Sequence, residues 1–518
     1  MKTRTKGIIV AAFFAVILLT STITLGLSSG PMQSPEERLT VTGTPEDSFP
    51  DLQRPRFCES GSAKSNQYVT EYKIPTKCTM PLSITTDDAG NVWFIQTNTG
   101  NIAKFDPQSK QFTEFANPEW PSMSRTMSWG MGYSADGHIW YTDDAHDALW
   151  KFSTLTGTYQ PVGFPSTGDS LPQHLKVTDG HVIVNDFYGG KISFLSLDQD
   201  GTYLNVPSPI SGSYTGGFDM DSDNNIWYTN WMLRQGGALV KFDYSQFSDF
   251  STIPDNSTAL QFSDVFNLPA DLGTPVGLVV DTSNNVWITD TSTSAFFRFD
   301  PATERFTKYT TSDPMQSTYG NQTGVIKTPI SGPYWLHIDD GRLVFNEQLA
   351  NAIAVFHIDE ESLVEYHVPS KNPNWTDCGS MSDCGIAQVF GLTPTGDKVW
   401  FTEWVENNIG VVDLTKQLPV KLGVDKLVVL SRGQSAVVDL TIEPSFETRV
   451  QLTAKSASAF RDVVTDLQKQ NLALDEARTV PVTISASESA LPGEYKVLFS
   501  ARTDDVTVSQ FVTVIVTQ

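Results

Sequence analysis

Along most of the chain, apolar and polar residues alternate in short runs separated by turns rich in Asp, Asn and Gly. A period of two marks β-strands with one buried face. One run recurs with Trp near its middle and an acid or amide at its end. It reads DDAGNVWFIQ from Asp87, SADGHIWYTD from Ser134, DSDNNIWYTN from Asp221, DTSNNVWITD from Asp281 and PTGDKVWFTE from Pro394. Weaker copies, TDGHVIVND from Thr178 and IDDGRLVFNE from Ile338, make seven. Each follows an apolar strand and precedes two more, such as NIAKFD (Asn101 to Asp106) and QFTEF (Gln111 to Phe115). Such a unit cannot bury its apolar face alone, so the pattern predicts an all-β fold: a seven-bladed β-propeller over residues 67–415.

The ends of this region refine the expectation. The seventh unit lacks a fourth strand before Pro419, whereas YVTEYKIP (Tyr68 to Pro75) matches QFTEFANP and LVEYHVP yet precedes the first unit. An N-terminal strand that completes the last blade removes an open edge and closes the ring. Over residues 418–518 the runs KLVVL, SAVVDLTI, RVQLTA, TVPVTIS, EYKVLFSA and QFVTVIVTQ predict an immunoglobulin-like β-sandwich. Within it, Phe460 to Leu474, with Val463, Val464, Leu467 and Leu472, reads as an amphipathic helical insertion.

Residues 1–27 differ from everything after them. Lys2, Arg4 and Lys6 precede an uncharged stretch from Ile8 to Leu27. About 20 such residues cross a bilayer, whereas a secretory apolar region runs to about 15. With no Ala-x-Ala site following, the segment reads as an uncleaved membrane anchor helix, the body facing outside; cleavage would make the protein secreted. Residues 28–66, rich in Pro, Ser, Gly and charge, read as a flexible tether.

Charge then narrows the partners. Acidic residues outnumber basic ones 59 to 35, a net charge of −24, which repels nucleic acid and favours cations and cationic partners. Four cysteines in an oxidising exterior predict two local disulfides, Cys58 with Cys78 and Cys378 with Cys384. Sequons at Asn256, Asn321 and Asn374 mark glycosylation sites.

In a four-stranded meander, the connections between blades and the loops after the Trp strands share one face. The long connections, about Pro254 to Thr274, Thr311 to Gly332 and Pro369 to Gln388, make it the candidate functional face. There the Trp strands end in Gln96, Asp143, Asp186, Asn230, Asp290, Glu347 and Glu403. Asp143, Asp186, Asp290, Glu347 and Glu403 are candidate ligands for Mg²⁺ or Ca²⁺, both of which take oxygen donors. The alternative is that each acid accepts N–H groups in its own blade's turn. Trp129, Trp231, Trp335 and Trp404 flank strand ends, where they can line a stacking pocket. His174, His337 and His146 are the candidate bases.

The unit resembles that of the streptogramin (virginiamycin B) lyases. Its fullest copies are TPVGLVVDTSNNVWITD from Thr274 and VFGLTPTGDKVWFTEWVENNIGVVDL from Val389, and the resemblance covers the repeat region alone. It implies a seven-bladed propeller that opens a cyclic depsipeptide at its ester by elimination, using a Mg²⁺-assisted His base and glutamates. Glu347 and Glu403 match the Glu position. The His position, after Pro at the start of an inner strand, holds Leu82, Trp129, Gln173, Gly216, Val276, Tyr334 and Phe390. His174 stands one residue further on, where an alternating strand turns it to the other face. Catalytic candidates are therefore Glu347, Glu403 and His174. Two classes of function fit: a tethered module binding an extracellular small molecule, saccharide or protein, and a metal-assisted lyase or hydrolase acting on an extracellular ester or saccharide.

Overall fold

The computed structural model describes residues 58–518, apart from 122–123, 125, 167–169, 198–201, 233–235, 245–254, 321–328, 377, 459–460 and 468–469. The anchor, most of the tether and the Asn321 sequon lie outside the described residues. No described helix is long and apolar enough to cross a membrane.

Among the described residues, seven four-stranded antiparallel blades form the propeller, and each Trp strand is its blade's second strand. The inner strands are Pro81–Thr86, Met131–Ser134, Pro172–Val177, Tyr214–Met220, Pro275–Val280, Pro333–Asp339 and Val389–Thr395. The outer strand of blade seven is N-terminal: Val69–Lys73 pairs antiparallel with Asn408–Asp413. The Cys58–Cys78 disulfide lies just before the first inner strand, and the Cys378–Cys384 disulfide lies in the connection to blade seven.

Each position of the recurring Trp strand does a separate physical job. The indole N–H groups of Trp93, Trp227 and Trp287 donate to Asp87, Asp221 and Asp281, six residues earlier, and tie strand to turn at 2.8–2.9 Å. The penultimate residue staples neighbouring blades. Thr402 Oγ1 donates to the Leu82 carbonyl at 2.7 Å, Thr289 to that of Tyr334 at 2.6 Å, and Asn346 Nδ2 to that of Val389 at 2.7 Å.

The inner strands carry a bulge that simple alternation does not foresee. Pairing slips between Pro81 and Ile84, Pro172 and Leu175, Thr215 and Phe218, Pro275 and Leu278, Pro333 and Leu336, and Val389 and Leu392. A bulge kinks the strand and re-aims side chains. Here it brings blades so close that a Cβ on Gly130, Gly217, Gly277 or Gly391 would lie 2.1–2.5 Å from the next blade's carbonyl oxygen.

The C-terminal region is two sheets around one apolar core containing Leu440, Ile442, Val482, Val497 and Phe499. One sheet is continuous with blade six, because outer strand Ser362–His367 pairs antiparallel with Val506–Thr517. Phe511 inserts against Tyr309 and Phe356, with ring centroids 5.2 and 5.8 Å away, and Lys496 pairs with Glu361 at 2.7 Å. The helix expected over Phe460 to Leu474 is instead two strands, Val463–Asp466 and Gln470–Leu474. Cross-strand pairing and the burial of Val463 and Leu474 in the shared core override the helical spacing.

Candidate functional site

The acids ending the Trp strands are buried, and each serves its own blade. Asp290 accepts from the amides of Gly273 and Thr274 at 3.0 and 2.9 Å and from Ser292 Oγ at 2.7 Å. Asp186 accepts from the Leu171 amide at 2.8 Å and Ser170 Oγ at 2.7 Å. Asp143 accepts from Thr126 Oγ1 at 2.7 Å and Trp150 Nε1 at 2.8 Å. Each acid thus fastens the connection entering its blade, which is why the residue type recurs.

Longer acids reach sideways to the outer strand. Gln96 Nε2 donates to Glu114 at 2.7 Å. In blades six and seven the equivalent contacts join two carboxyl groups, Glu347 with Glu365 and Glu403 with Glu71. Burial, and then the neighbouring carboxyl, pushes Glu347 and Glu403 well above the ordinary Glu range. Backbone amides stabilise the charge on the other member of each pair, while Asn408 Nδ2 donates to Glu403 at 2.7 Å. Glu365 accepts from the Ser312 amide at 2.9 Å, and Glu71 from the Ser370 and Lys64 amides at 2.9 and 2.7 Å. A proton held between two buried carboxyls resolves their repulsion.

These acids therefore do not form an axial ring, and among the described residues no three His, Cys, Asp or Glu side chains converge to hold a metal ion. Asp143, Asp186, Asp290, Glu347 and Glu403, each paired within its own blade, do not converge as a set of oxygen donors for the Mg²⁺ or Ca²⁺ expected from the sequence.

The axis itself is closed on the long-loop side. Trp129 packs against Tyr334, Trp335 and Phe390 with centroids 6.2, 6.0 and 5.6 Å apart, and Phe390 against Trp404 at 6.2 Å. Three of the seven positions at which the resemblance would place a catalytic His, Trp129, Tyr334 and Phe390, thus contribute to an aromatic plug. All four candidate stacking tryptophans are buried, Trp129, Trp231, Trp335 and Trp404 at 4%, 8%, 5% and 1% exposure.

Beyond the plug, towards the Asp/Gly turns, lies a cavity of about 270 Å³. Its wall includes Trp129, His174, Lys176, Asp219, Trp335 and His337. The bulge explains why His174 is here, against the expectation from alternation. It occupies the position that is glycine in four other blades, as does Trp335 in blade six, and the two rings meet edge to face at 4.0 Å. Asn185 Oδ1 holds the His174 amide at 2.6 Å and Asn346 Oδ1 that of Trp335 at 2.8 Å, where other blades use Thr. Burial, then His337, pushes the His174 pKa down to about 3, and burial pushes His337 to about 4, so both imidazoles are neutral at physiological pH. The His174 ring donates to the Val276 carbonyl, and its Nε2 has no partner. Lys176 pairs with Asp219, which also accepts from the Val280 amide at 2.9 Å.

Of the expected site residues, the structure brings His174, Trp129 and Trp335 together and leaves Glu347 and Glu403 in separate blades. Lys176 and Asp219 were not foreseen. The signal available was non-glycine residues at the bulge position, visible only once the inner strands are aligned.

No protein-family model matches the chain, and no curated protein matches it. Among solved structures it is similar to virginiamycin B lyase from Staphylococcus aureus, at 21% identity and TM-score 0.51, covering 67% of this chain and 99% of the lyase. A catalytically inactive His-to-Ala variant of that lyase with quinupristin matches at 20% identity and TM-score 0.51, covering 67% and 99%. A streptogramin B lyase structure matches at 22% identity and TM-score 0.50, covering 67% and 97%. At these identities the likeness establishes the propeller fold.

Proposed function

We propose that the chain is an extracytoplasmic binding module, tethered by its N-terminal anchor, whose axial cavity takes a small polyhydroxylated molecule of monosaccharide size. The observation that carries this reading is a cavity of about 270 Å³ on the axis whose wall combines a neutral His174 and His337, Trp335 and the Lys176–Asp219 ion pair. The Lys176–Asp219 pair offers donor and acceptor to sugar hydroxyls, and the His174 and Trp335 rings supply an aromatic wall for a sugar's C–H groups. At about 270 Å³ the cavity is at the small end of ligand pockets, about 300–1,000 Å³, too small for a cyclic depsipeptide. The plug and the dispersed glutamates likewise support binding rather than lyase chemistry. On this reading the two C-terminal sheets are an immunoglobulin-like β-sandwich serving as a rigid extension of blade six, and Asn256, Asn321 and Asn374 carry glycans.

Calorimetric titration with a monosaccharide panel tests it. Binding of at least one sugar should weaken tenfold or more in His174→Leu. If no sugar binds the folded chain, or if binding is indifferent to His174→Leu, the reading fails.

A further inference from the structure

The long-loop face holds a second constellation, independent of the axial cavity. In the connection between blades one and two, Ser124 Oγ lies 2.8 Å from His146 Nε2. His146 Nδ1 lies 2.8 Å from Asp143 Oδ2, and that carboxylate is buried and also held by Trp150 Nε1 and Thr126 Oγ1. The hydrogen bond to Asp143, opposed by burial, holds the His146 pKa above the ordinary His range, so the base is the neutral fraction of the ring, in which Nδ1 carries the proton because a carboxylate only accepts. Nε2 is then a lone pair, and the Ser124 hydroxyl donates to it.

Asp143 does not need His146 for its structural task. Three residues after the corresponding acids, the Gly189 amide and Thr293 Oγ1 donate to Asp186 and Asp290 at 2.9 and 3.0 Å. In blade two an imidazole takes this place and passes the contact on to a hydroxyl. The His146 side chain is 27% exposed, so the group is reachable from solvent. Trp120 stands edge-on to His146 at 5.2 Å and donates from Nε1 to the Ser124 carbonyl at 3.1 Å, walling one side and fixing the serine backbone.

We propose that Ser124, His146 and Asp143 act as nucleophile, general base and orienting carboxylate of an acyl-transfer site for small esters. Ser124 Oγ forms a bond to the acyl carbon as its proton passes to His146 Nε2. The ester C–O bond then breaks, and the alcohol leaves with that proton. Water completes the cycle: His146 takes a proton from it, its oxygen bonds to the acyl carbon, and Ser124 Oγ departs and recovers the proton.

The test is covalent labelling of the purified full chain with a fluorophosphonate probe, with peptide mass mapping and 4-nitrophenyl acetate turnover in parallel. Labelling should map to Ser124, disappear in Ser124→Ala and slow about 10²–10⁴-fold in His146→Ala, the usual effect of losing a base. Asp143→Asn should slow labelling as well, by presenting the wrong tautomer, while unchanged melting temperatures of Ser124→Ala and His146→Ala show that folding is intact. No adduct on the folded protein, or an adduct that survives Ser124→Ala, overturns the proposal.

Discussion

Replacing Glu347 with Gln isolates the buried carboxyl pair of blade six. In the wild type, burial and Glu365 raise the Glu347 pKa above that of the unfolded chain, about 4.3. Below that pH both states are protonated and the pair imposes no pH-dependent penalty. Above it the unfolded chain releases a proton that the folded pair keeps, so stability falls as pH rises until the folded pKa is reached. The slope is about 1.4 kcal/mol per pH unit for one proton. An amide at position 347 keeps the shape and can donate to Glu365, whose pKa burial raises while the Ser312 amide and the nearby Arg502 favour its charged form. Glu347→Gln should therefore flatten the decline of unfolding free energy, by up to about 1.4 kcal/mol per unit over the range above pH 5 in which the folded pair still keeps its proton, and gain on the wild type as pH rises through that range. Urea titrations followed by tryptophan fluorescence at pH 5, 6 and 7 measure it. Parallel slopes for wild type and variant would refute the shared proton, as would a destabilisation independent of pH.

Two further substitutions probe the ring and its seam. Gly391→Ala places a methyl 2.1 Å from the Leu82 carbonyl oxygen, so overpacking between blades seven and one should cost about 1–3 kcal/mol. Denaturant midpoints would show it, with Gly180→Ala, in an open turn with no positive φ, as the comparison. Phe511→Ala removes a fully buried ring that joins the C-terminal sheets to blades five and six, and should cost about 3–5 kcal/mol. Limited proteolysis near residue 418 should accelerate in that variant and stay unchanged if the seam carries no load.

The propeller was legible because its unit repeats: the Trp strand, its turn and its flanking strands all declare themselves by spacing. The last residue of that strand was visible with two readings, metal ligand or acceptor of its own blade's N–H groups; Asp186 and Asp290 follow the second, with partners in connections whose course no periodicity predicts. His174 was found but turned to the wrong face, because its bulge arises from close packing between blades and leaves no mark in the alternation of Pro172–Val177. The joining of Ser362–His367 to Val506–Thr517 was invisible for another reason: pairing across so long a separation depends on tertiary placement. Ser124 and His146 lie 22 positions apart in loops, so only folding reveals their contact.

The axial cavity remains the centre of the account, and a co-crystal structure with the tightest-binding monosaccharide tests it most directly. The sugar should lie between the plug and the Asp/Gly turns, against the His174 and Trp335 rings, with hydroxyls on the Lys176–Asp219 pair. A sugar seated on the long-loop side of Trp129 and Phe390, with the axial cavity empty, would contradict it.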